Sequence, residues 1–170
     1  MLITPQALLA EGILPAMELL PASMWSVEAY ALMLASALQE TGLSARRQEV
    51  WDKKERRMVP GKARGLYQFE MIGLEGVLRH PATQRHAARL VDALGYADAT
   101  PAELLDRMVD DDVLASGMAR LNLFWYPAPL PKRDDGPTPA YVYYDSIWRP
   151  GVKRPNDWPP NWVKAWDTVE

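Results

Sequence analysis

Residues 32–42 read LMLASALQETG, a nearly uninterrupted apolar run that ends in one carboxylate, Glu40, two residues before a glycine. Apolar residues before this run recur at helical spacing and extend the pattern back to Ser26, a good N-cap residue. Because apolar residues also fill most of the remaining circumference, the pattern predicts a helix buried on several sides. We therefore expect the central helix of the domain to begin after Ser26 and to end at Gly42.

Glu40 stands at the C-terminal end of this helix, where the helix dipole disfavours negative charge. Burial and that dipole both raise the pKa of a carboxyl group, so this residue is placed to hold a proton near neutral pH. A proton-holding carboxylic acid is what general acid catalysis requires. The common alternative for a glutamate at a helix end is a solvated or capping role. Glu70 and Glu75 are the next carboxylates to consider, and surface charges are the simpler interpretation of both.

The composition excludes several kinds of site. The chain has 170 residues, enough for one domain with a substantial core, and its formal net charge of -3 does not favour general nucleic-acid binding. It contains no cysteine, which excludes disulfides and thiolate chemistry. The only histidines, His80 and His86, are expected to be structural, so we predict no metal and no cofactor. No apolar run reaches the roughly 18 residues of a membrane span, and the N-terminus lacks the basic region of a signal peptide.

Residues 43–64 form a basic segment with eight basic and three acidic residues, a formal surplus of five positive charges. The pattern fits a short hairpin or a charged helix equally well, and Pro60 and Gly61 predict a turn. The segment is interpreted as a solvated face, or as a contact surface for anionic cell-wall polymer or nucleic acid. Trp51 offers a stacking surface for sugars or bases alike. The nucleic-acid alternative depends on this segment alone and is the weakest.

The other helices are predicted from residues that typically begin or end a helix. Residues 4–21 predict a short helix capped by Thr4, then an extended stretch interrupted by Pro15 and Pro21. Glycines, prolines and acidic first turns predict three later helices, over residues 81–94, 101–109 and 110–125. The fold class expected is mainly α, in an α+β arrangement with a small irregular or β element around residues 43–72 and helices to about residue 126.

Residues 127–170 differ in composition, since they hold nine of the 15 prolines and four of the seven tryptophans. We divide the chain into a helical domain, residues 1–126, and this extension, which is predicted to wrap back over the domain or onto a partner. A short helix is expected over residues 140–148. Trp158, Trp162 and Trp166 step by four, and the prolines after Trp158 allow a helix to start there but not to run through it.

The triplet Gln39-Glu40-Thr41, with Gly65-Leu66-Tyr67-Gln68 downstream, resembles the goose-type lysozyme and soluble lytic transglycosylase branch of the lysozyme-like superfamily. In that branch a catalytic glutamate followed by serine closes a buried helix, and a Gly-Leu-x-Gln segment lines the cleft beside it. The resemblance covers about residues 24–126. The chain departs from the pattern in the longer gap between the two motifs, and ARLNLFWYPAP (119–129) stands where many relatives carry an Ala-Tyr-Asn-like segment.

The resemblance implies cleavage of the β-1,4 bond between N-acetylmuramic acid and N-acetylglucosamine in peptidoglycan, as a lyase or as a hydrolase. It assigns catalysis to Glu40, acting first as acid and then as base, without a second carboxylate. The glycan-binding residues that it implies are Thr41, Gly65, Tyr67, Gln68 and Tyr144, with Tyr143 as an alternative to Tyr144 for the late aromatic hydroxyl.

The elements ARGLYQFE (63–70) and WRPG (148–151) also resemble proteins of tailed bacteriophages. This resemblance implies synthesis in the cytoplasm of a bacterial host, followed by incorporation in the virion or action in the periplasm and cell wall. The alternative function is a non-catalytic virion or tail protein that keeps a lysozyme-like scaffold. Such a protein would bind other virion subunits through the basic segment, residues 43–64, and through the extension, residues 127–170.

Overall fold

The computed structural model describes residues 3–170, and helices account for most of that range. A π-helical turn, Leu9–Ile13, joins the first two α-helices, and short 3-10 turns occupy Ala22–Met24, Arg133–Asp135 and Pro155–Asp157. In chain order the regular elements are α1 (Pro5–Leu8), α2 (Leu14–Glu18), α3 (Val27–Thr41), β1 (Arg47–Asp52), β2 (Arg57–Arg64), α4 (Met71–Arg79), α5 (Gln84–Ala93), α6 (Pro101–Arg107), α7 (Asp112–Phe124), α8 (Pro137–Trp148) and α9 (Trp158–Val169).

Helix α3 is the buried central helix that the sequence predicts. The Ser26 hydroxyl accepts a hydrogen bond from the Ala29 N–H at 3.1 Å, which satisfies one of the free donors of the first turn. Gly42 ends the helix in the left-handed conformation, with φ +57°, and its N–H donates to the Leu38 carbonyl at 2.9 Å. Every residue from Ala31 to Gln39 is buried, so the expected bounds and the expected burial are both confirmed.

The N-terminal segment stays helical further than its prolines indicate. Thr4 caps α1 as predicted, with its hydroxyl accepting from Ala7 N–H. The predicted break at Pro15 is wrong, because Pro15 lies in the first turn of α2, where a missing N–H costs no hydrogen bond. The π-helical turn before it connects α1 to α2 without an extended stretch, and the helical course continues to Glu18.

Strands β1 and β2 form a two-stranded antiparallel ribbon. Of the two structures that the sequence allowed for residues 43–64, a short hairpin and a charged helix, the hairpin is the one that forms. The turn predicted at Pro60 and Gly61 is wrong, because Pro60 lies within β2 opposite Glu49. The reversal occurs at residues 53–56, where the Asp52 carboxylate accepts from the N–H groups of Lys54 and Glu55. Since β2 pairs on one side only, a proline is tolerated there.

The middle of the chain carries one helix that the sequence did not predict, α4, whose two glycines lower its helix propensity. Helix α5 begins at Gln84 instead of residue 81, because residues 81–83 form a turn. Helix α6 has the predicted capping box between Thr100 and Glu103. Helix α7 matches the predicted helix within two residues at each end, and the Asp111 carboxylate caps it.

Helices α8 and α9 fold the proline- and tryptophan-rich extension back onto the body, and α9 packs along α3. Helix α9 starts at Trp158 with two prolines in its first turn, as the sequence allowed, and Trp158, Trp162 and Trp166 are all buried. Their side chains belong to the same apolar cluster as α3 and α7. The boundary between residues 126 and 127 stays a prediction.

The architecture is mainly helical with one small antiparallel sheet, which confirms that part of the fold-class prediction. Within residues 3–170 no helix is long and apolar enough to cross a bilayer.

Candidate active site

Glu40 lies in the last turn of α3 with its side chain partly buried. The hydroxyl of Tyr144, on α8, donates a hydrogen bond to Glu40 Oε1 at 2.5 Å. The two residues are separated by 104 positions in the sequence, so the fold itself brings them together. Of the two tyrosines that the sequence left open, Tyr144 is the one that contacts Glu40, whereas the Tyr143 hydroxyl donates to the Leu123 carbonyl at 3.0 Å.

Burial raises the pKa of Glu40, and two weaker effects oppose it: the hydrogen bond from Tyr144 and the positive charge of Arg154. Desolvation and the neighbouring carboxylate raise the pKa of Tyr144 as well, so its hydroxyl remains protonated at neutral pH. The pair therefore has fixed roles. Tyr144 is the hydrogen-bond donor, and Glu40 is the group that gains or loses a proton.

Tyr144 is held by stacked aromatic rings on both sides. The Trp158 ring lies 4.8 Å away and the Trp148 ring 5.9 Å away, both nearly parallel to the tyrosine. The Trp148 indole N–H also donates to the Tyr67 carbonyl at 2.9 Å, which ties α8 to the segment before α4. Sequence reasoning missed both tryptophans as parts of the site. The spacing of four residues places Trp148 beside Tyr144 on one face of the predicted helix 140–148, so the sequence did carry a signal for this contact. Trp158 has no such signal, because its contact with Tyr144 depends on how α9 packs on α8.

The residue before the carboxylate fixes the extension at this end of α3. Gln39 is buried, and its side-chain amide donates to the backbone carbonyl of Arg154 at 2.8 Å. The backbone carbonyl of Gln39 in turn accepts a hydrogen bond from the Arg154 guanidinium. Asn161 Nδ2 donates to Gln39 Oε1 at 3.0 Å. These reciprocal bonds hold Arg154 close enough to Glu40 to affect its pKa. None of the three was a site residue in the sequence prediction.

Thr41 joins the end of α3 to the Gly-Leu-Tyr-Gln segment. Its hydroxyl lies 3.1 Å from both the Ala37 and Leu66 carbonyls, and it accepts from Leu43 N–H. A hydroxyl with these partners is occupied within the protein, so Thr41 positions the downstream segment next to Glu40. Its predicted contact with the glycan stays a prediction.

Gly65 and Tyr67 have structural roles that differ from the predicted ones. A Cβ atom on Gly65 would lie 2.5 Å from the Met108 carbonyl oxygen, and the backbone there has φ +72°. The close approach that Gly65 permits is therefore to the protein's own backbone and not to a sugar. Tyr67 is 0% exposed, and its hydroxyl lies 3.2 Å from that of Ser116. A ring without an exposed face has no surface for stacking on a glycan, so that expectation for Tyr67 is wrong.

Gln68 is half-buried and adopts a positive φ of 49°. Its side-chain amide donates to the Gly65 carbonyl at 2.9 Å, the same oxygen that accepts from its backbone N–H. These bonds close a tight turn, and they orient the Gln68 side chain. Its amide oxygen accepts no hydrogen bond within residues 3–170, which leaves an acceptor available for a ligand hydroxyl or amide.

The other candidate carboxylates form no hydrogen bond with Glu40, Tyr144 or Gln68 within the described residues. Glu70 is exposed at the start of α4, and Glu75 pairs with Arg79 one turn later on that helix. His80 Nδ1 accepts from the Ala82 N–H, and His86 contacts Phe124 edge-on. Both histidines thus have the structural surroundings expected of them.

No group of three or more metal-binding side chains occurs in the described part of the chain. Two surface grooves, of about 510 and 480 Å³, lie along α9 and beside the acidic start of α7, and neither is lined by Glu40. Comparisons of the chain with protein-family models, with curated proteins and with solved structures found no match.

Proposed function

We propose that the protein is a peptidoglycan-cleaving enzyme of the lysozyme-like class, with Glu40 as its acid and base. The observation that carries the proposal is the partly buried Glu40 carboxyl, hydrogen-bonded at 2.5 Å to a tyrosine whose hydroxyl keeps its proton. Burial raises the pKa of Glu40, as an acid that protonates a leaving group near neutral pH requires. The resemblance of residues 39–41 and 65–68 to the lysozyme-like motifs supplies the substrate class.

In the first step the Glu40 carboxylic acid donates its proton to the glycosidic oxygen between N-acetylmuramic acid and N-acetylglucosamine. The bond from the muramic C1 to that oxygen breaks, and the oxygen leaves as a hydroxyl on N-acetylglucosamine. The acetamido oxygen of the muramic residue bonds to C1 as the ring acquires oxocarbenium character. The Tyr144 hydroxyl then stabilises the carboxylate that forms on Glu40.

In the second step the Glu40 carboxylate removes the proton from the incoming nucleophile. If the nucleophile is the muramic 6-hydroxyl, its oxygen bonds to C1, the acetamido oxygen leaves, and a 1,6-anhydro end forms. If it is water, the product is a reducing end. Each route returns Glu40 to its protonated form and needs no second carboxylate. Gln68, through its free amide oxygen, is the residue that we assign to glycan contact. Tyr144 is 2% exposed and its hydroxyl already donates to Glu40, so in this proposal it acts through that carboxyl group and not by touching the glycan.

The setting that we propose is a tailed-bacteriophage particle or its lysis programme. The protein would be made in the host cytoplasm and would act on the wall from the virion or in the periplasm. The support for this setting is the resemblance of residues 63–70 and 148–151 to phage proteins.

The test is digestion of purified sacculi, with mass spectrometry of the soluble products. We expect wild type to release muropeptides and Glu40→Gln to be slower by about 10²- to 10⁴-fold, the usual contribution of a general acid. Tyr144→Phe removes one hydrogen bond to a charged group, so we expect a loss of about 10- to 100-fold. Glu70→Gln, at an exposed carboxylate, is the matched control and should leave the rate unchanged.

The second candidate is a non-catalytic virion protein on the same scaffold, and one observation favours it. Gln39 binds both Arg154 and Asn161, so the extension is fastened at the catalytic end of α3. A protein that only assembles with other subunits has no need of an open cleft there. Folded wild-type protein that releases no muropeptides from sacculi would favour this candidate over the enzyme.

A further inference from the structure

The ribbon formed by β1 and β2, residues 47–64, exposes apolar side chains on both faces. Trp51 is 59% exposed and lies opposite Met58, which is 48% exposed. On the other face Val50 is also exposed, opposite Val59. Large apolar side chains grouped on a projecting element mark a binding surface more often than isolated ones do.

The ribbon is also the main concentration of positive charge. Three cations at its turn, Lys53, Lys54 and Arg56, are exposed, and Lys62 is exposed on β2; none forms an ion pair within residues 3–170. Residues 43–64 carry a formal charge of +5 in a chain of net charge -3, so the rest carries -8 (-3 minus +5). The ribbon therefore attracts anions at a site where the remainder of the molecule repels them.

The base of the ribbon is anchored to the body. Arg46 makes two hydrogen bonds to the Asp112 carboxylate, at 2.5 and 2.8 Å, and Arg64 pairs with Asp106 at 3.2 Å. Beyond β2 the chain continues into the segment that Thr41 ties to the end of α3. These contacts connect the ribbon to the helix end that bears Glu40.

We propose that this ribbon is a second, non-catalytic binding surface for peptidoglycan, an inference that rests on the proposed function. The Trp51 ring would stack on a sugar face, while the cations at the turn pair with carboxylates of the stem peptides. The match is one of complementary chemistry: an anionic glycan offers apolar sugar faces and separated carboxylates, and the ribbon offers one exposed ring and separated ammonium and guanidinium groups.

A nucleic acid fits this surface less well. Its phosphates are closely spaced, and a strand that extends beyond the ribbon meets the net charge of -8 on the rest of the chain. Proteins that bind single strands align several aromatic rings along a basic groove. The ribbon has one exposed aromatic side chain, Trp51.

The experiment measures binding separately from cleavage, by co-sedimentation of Glu40→Gln protein with intact sacculi. In that background we expect Trp51→Ala to weaken binding by at least about fivefold, from the usual contribution of one stacked ring. The double variant Lys53→Ala, Lys54→Ala should also weaken binding to sacculi, and the loss should be larger at low salt than at high salt. Trp25→Ala and Lys164→Ala, which remove an exposed tryptophan and an exposed lysine elsewhere, are the matched controls and should bind like the parent.

Ribbon variants that bind sacculi as tightly as the parent would overturn the inference, even if wild type releases muropeptides. Ribbon-dependent binding without muropeptide release would support the ribbon surface while the catalytic proposal fails. Two further measurements are part of the test: gel shift with a 30-base-pair DNA duplex and sedimentation velocity of the protein alone. If the protein does not bind sacculi but binds DNA or itself through the ribbon, the inference is overturned. The ribbon would then be a surface for DNA or for a second copy of the chain.

Discussion

The tryptophans of the extension and the tryptophan of the ribbon have opposite environments. Trp158, Trp162 and Trp166 are at most 4% exposed and pack α9 onto α3, whereas Trp51 is 59% exposed. All four residues lie in segments rich in charge or proline, and composition alone assigns them the same possible roles. Only the packing separates rings that hold the site together from a ring that is free to bind.

The difference teaches that the extension is part of the structure around Glu40 and not an accessory to it. Trp158 stacks directly on Tyr144, which in turn donates to Glu40. The ribbon, in contrast, contributes no side chain to that contact. Substitutions in the extension should therefore affect stability and catalysis together, whereas substitutions in the ribbon should affect binding alone.

Trp162→Ala is expected to have the largest effect. It removes a fully packed indole from the interface of α9 with α3, which should lower the free energy of unfolding by about 3–5 kcal/mol. Chemical denaturation measures it, and Val163→Ala, on the exposed face of the same helix, is the control. Trp162→Phe keeps most of the packing and removes an indole N–H that has no hydrogen-bond partner within residues 3–170, so it should lose less than half as much. A Trp162→Ala protein as stable as wild type would contradict the packing of α9 described above.

Gly65→Ala comes next, because the added methyl group meets the Met108 carbonyl oxygen at 2.5 Å in a left-handed backbone. We expect a loss of about 2–4 kcal/mol from the strain and the contact together. Gly95→Ala is the matched control: its φ of +77° is similar, but no atom lies within 4 Å of the added methyl, so about 1 kcal/mol is expected. Equal losses in the two variants would show that the contact with the Met108 carbonyl oxygen does not matter.

Glu40→Gln, the variant expected to slow the proposed reaction, should also stabilise the protein at neutral pH. The raised pKa means that folded protein holds the proton more tightly than unfolded protein does. The contribution of Glu40 to stability is therefore complete below its ordinary pKa of 4.5 and is lost as the pH rises through the raised value. Glutamine stays neutral and still accepts from Tyr144, so we expect a gain in stability at pH 7 that disappears near pH 4. Thermal unfolding at both pH values measures the difference, and a gain at pH 4 equal to that at pH 7 would contradict it.

Trp51→Ala should have the smallest effect on stability, about 0.5 kcal/mol or less, because only its cross-strand contact with Met58 is lost. The measurement is again chemical denaturation. A loss comparable with that of Trp162→Ala would mean that the ribbon tryptophan belongs to the core, and it would remove the contrast between the two regions.

The parts of the fold that the sequence predicts are those with local causes. Ser26 and Gly42 determine the ends of α3 through bonds within three or four residues, and the capping box of α6 is equally local. The turn of the ribbon was misplaced because the carboxylate of Asp52 closes an earlier turn than Pro60 and Gly61 indicate. Helix α4 was missed because its glycines conceal a helical pattern that packing against other helices completes.

The candidate site could be predicted only in part. Glu40 was identified from its place at the end of a buried helix, and Tyr144 was named as one of two alternatives. Gln39, Arg154 and Trp158 were not identified, because their contacts with the site depend on how α8 and α9 pack and leave no pattern in the local sequence. The roles predicted for Gly65 and Tyr67 were wrong for a related reason. The motif is present, but the Tyr67 ring is buried in the core and Gly65 packs against the Met108 carbonyl.

The bond between Gln39 and Arg154 spans 115 residues, and this separation has a consequence for the order of events during synthesis. Helix α3 leaves the ribosome early, but the helix that covers it is translated near the end of this chain. Until then an apolar surface of α3 has no partner, and the loop that must close is long, so docking of α9 is a late step in folding. Because Trp158, which stacks on Tyr144, arrives with that step, the surroundings of Glu40 are completed late. Chains that stop short of α9 should lack the Trp158 ring that stacks on Tyr144 and should be cut faster by added protease than the full chain.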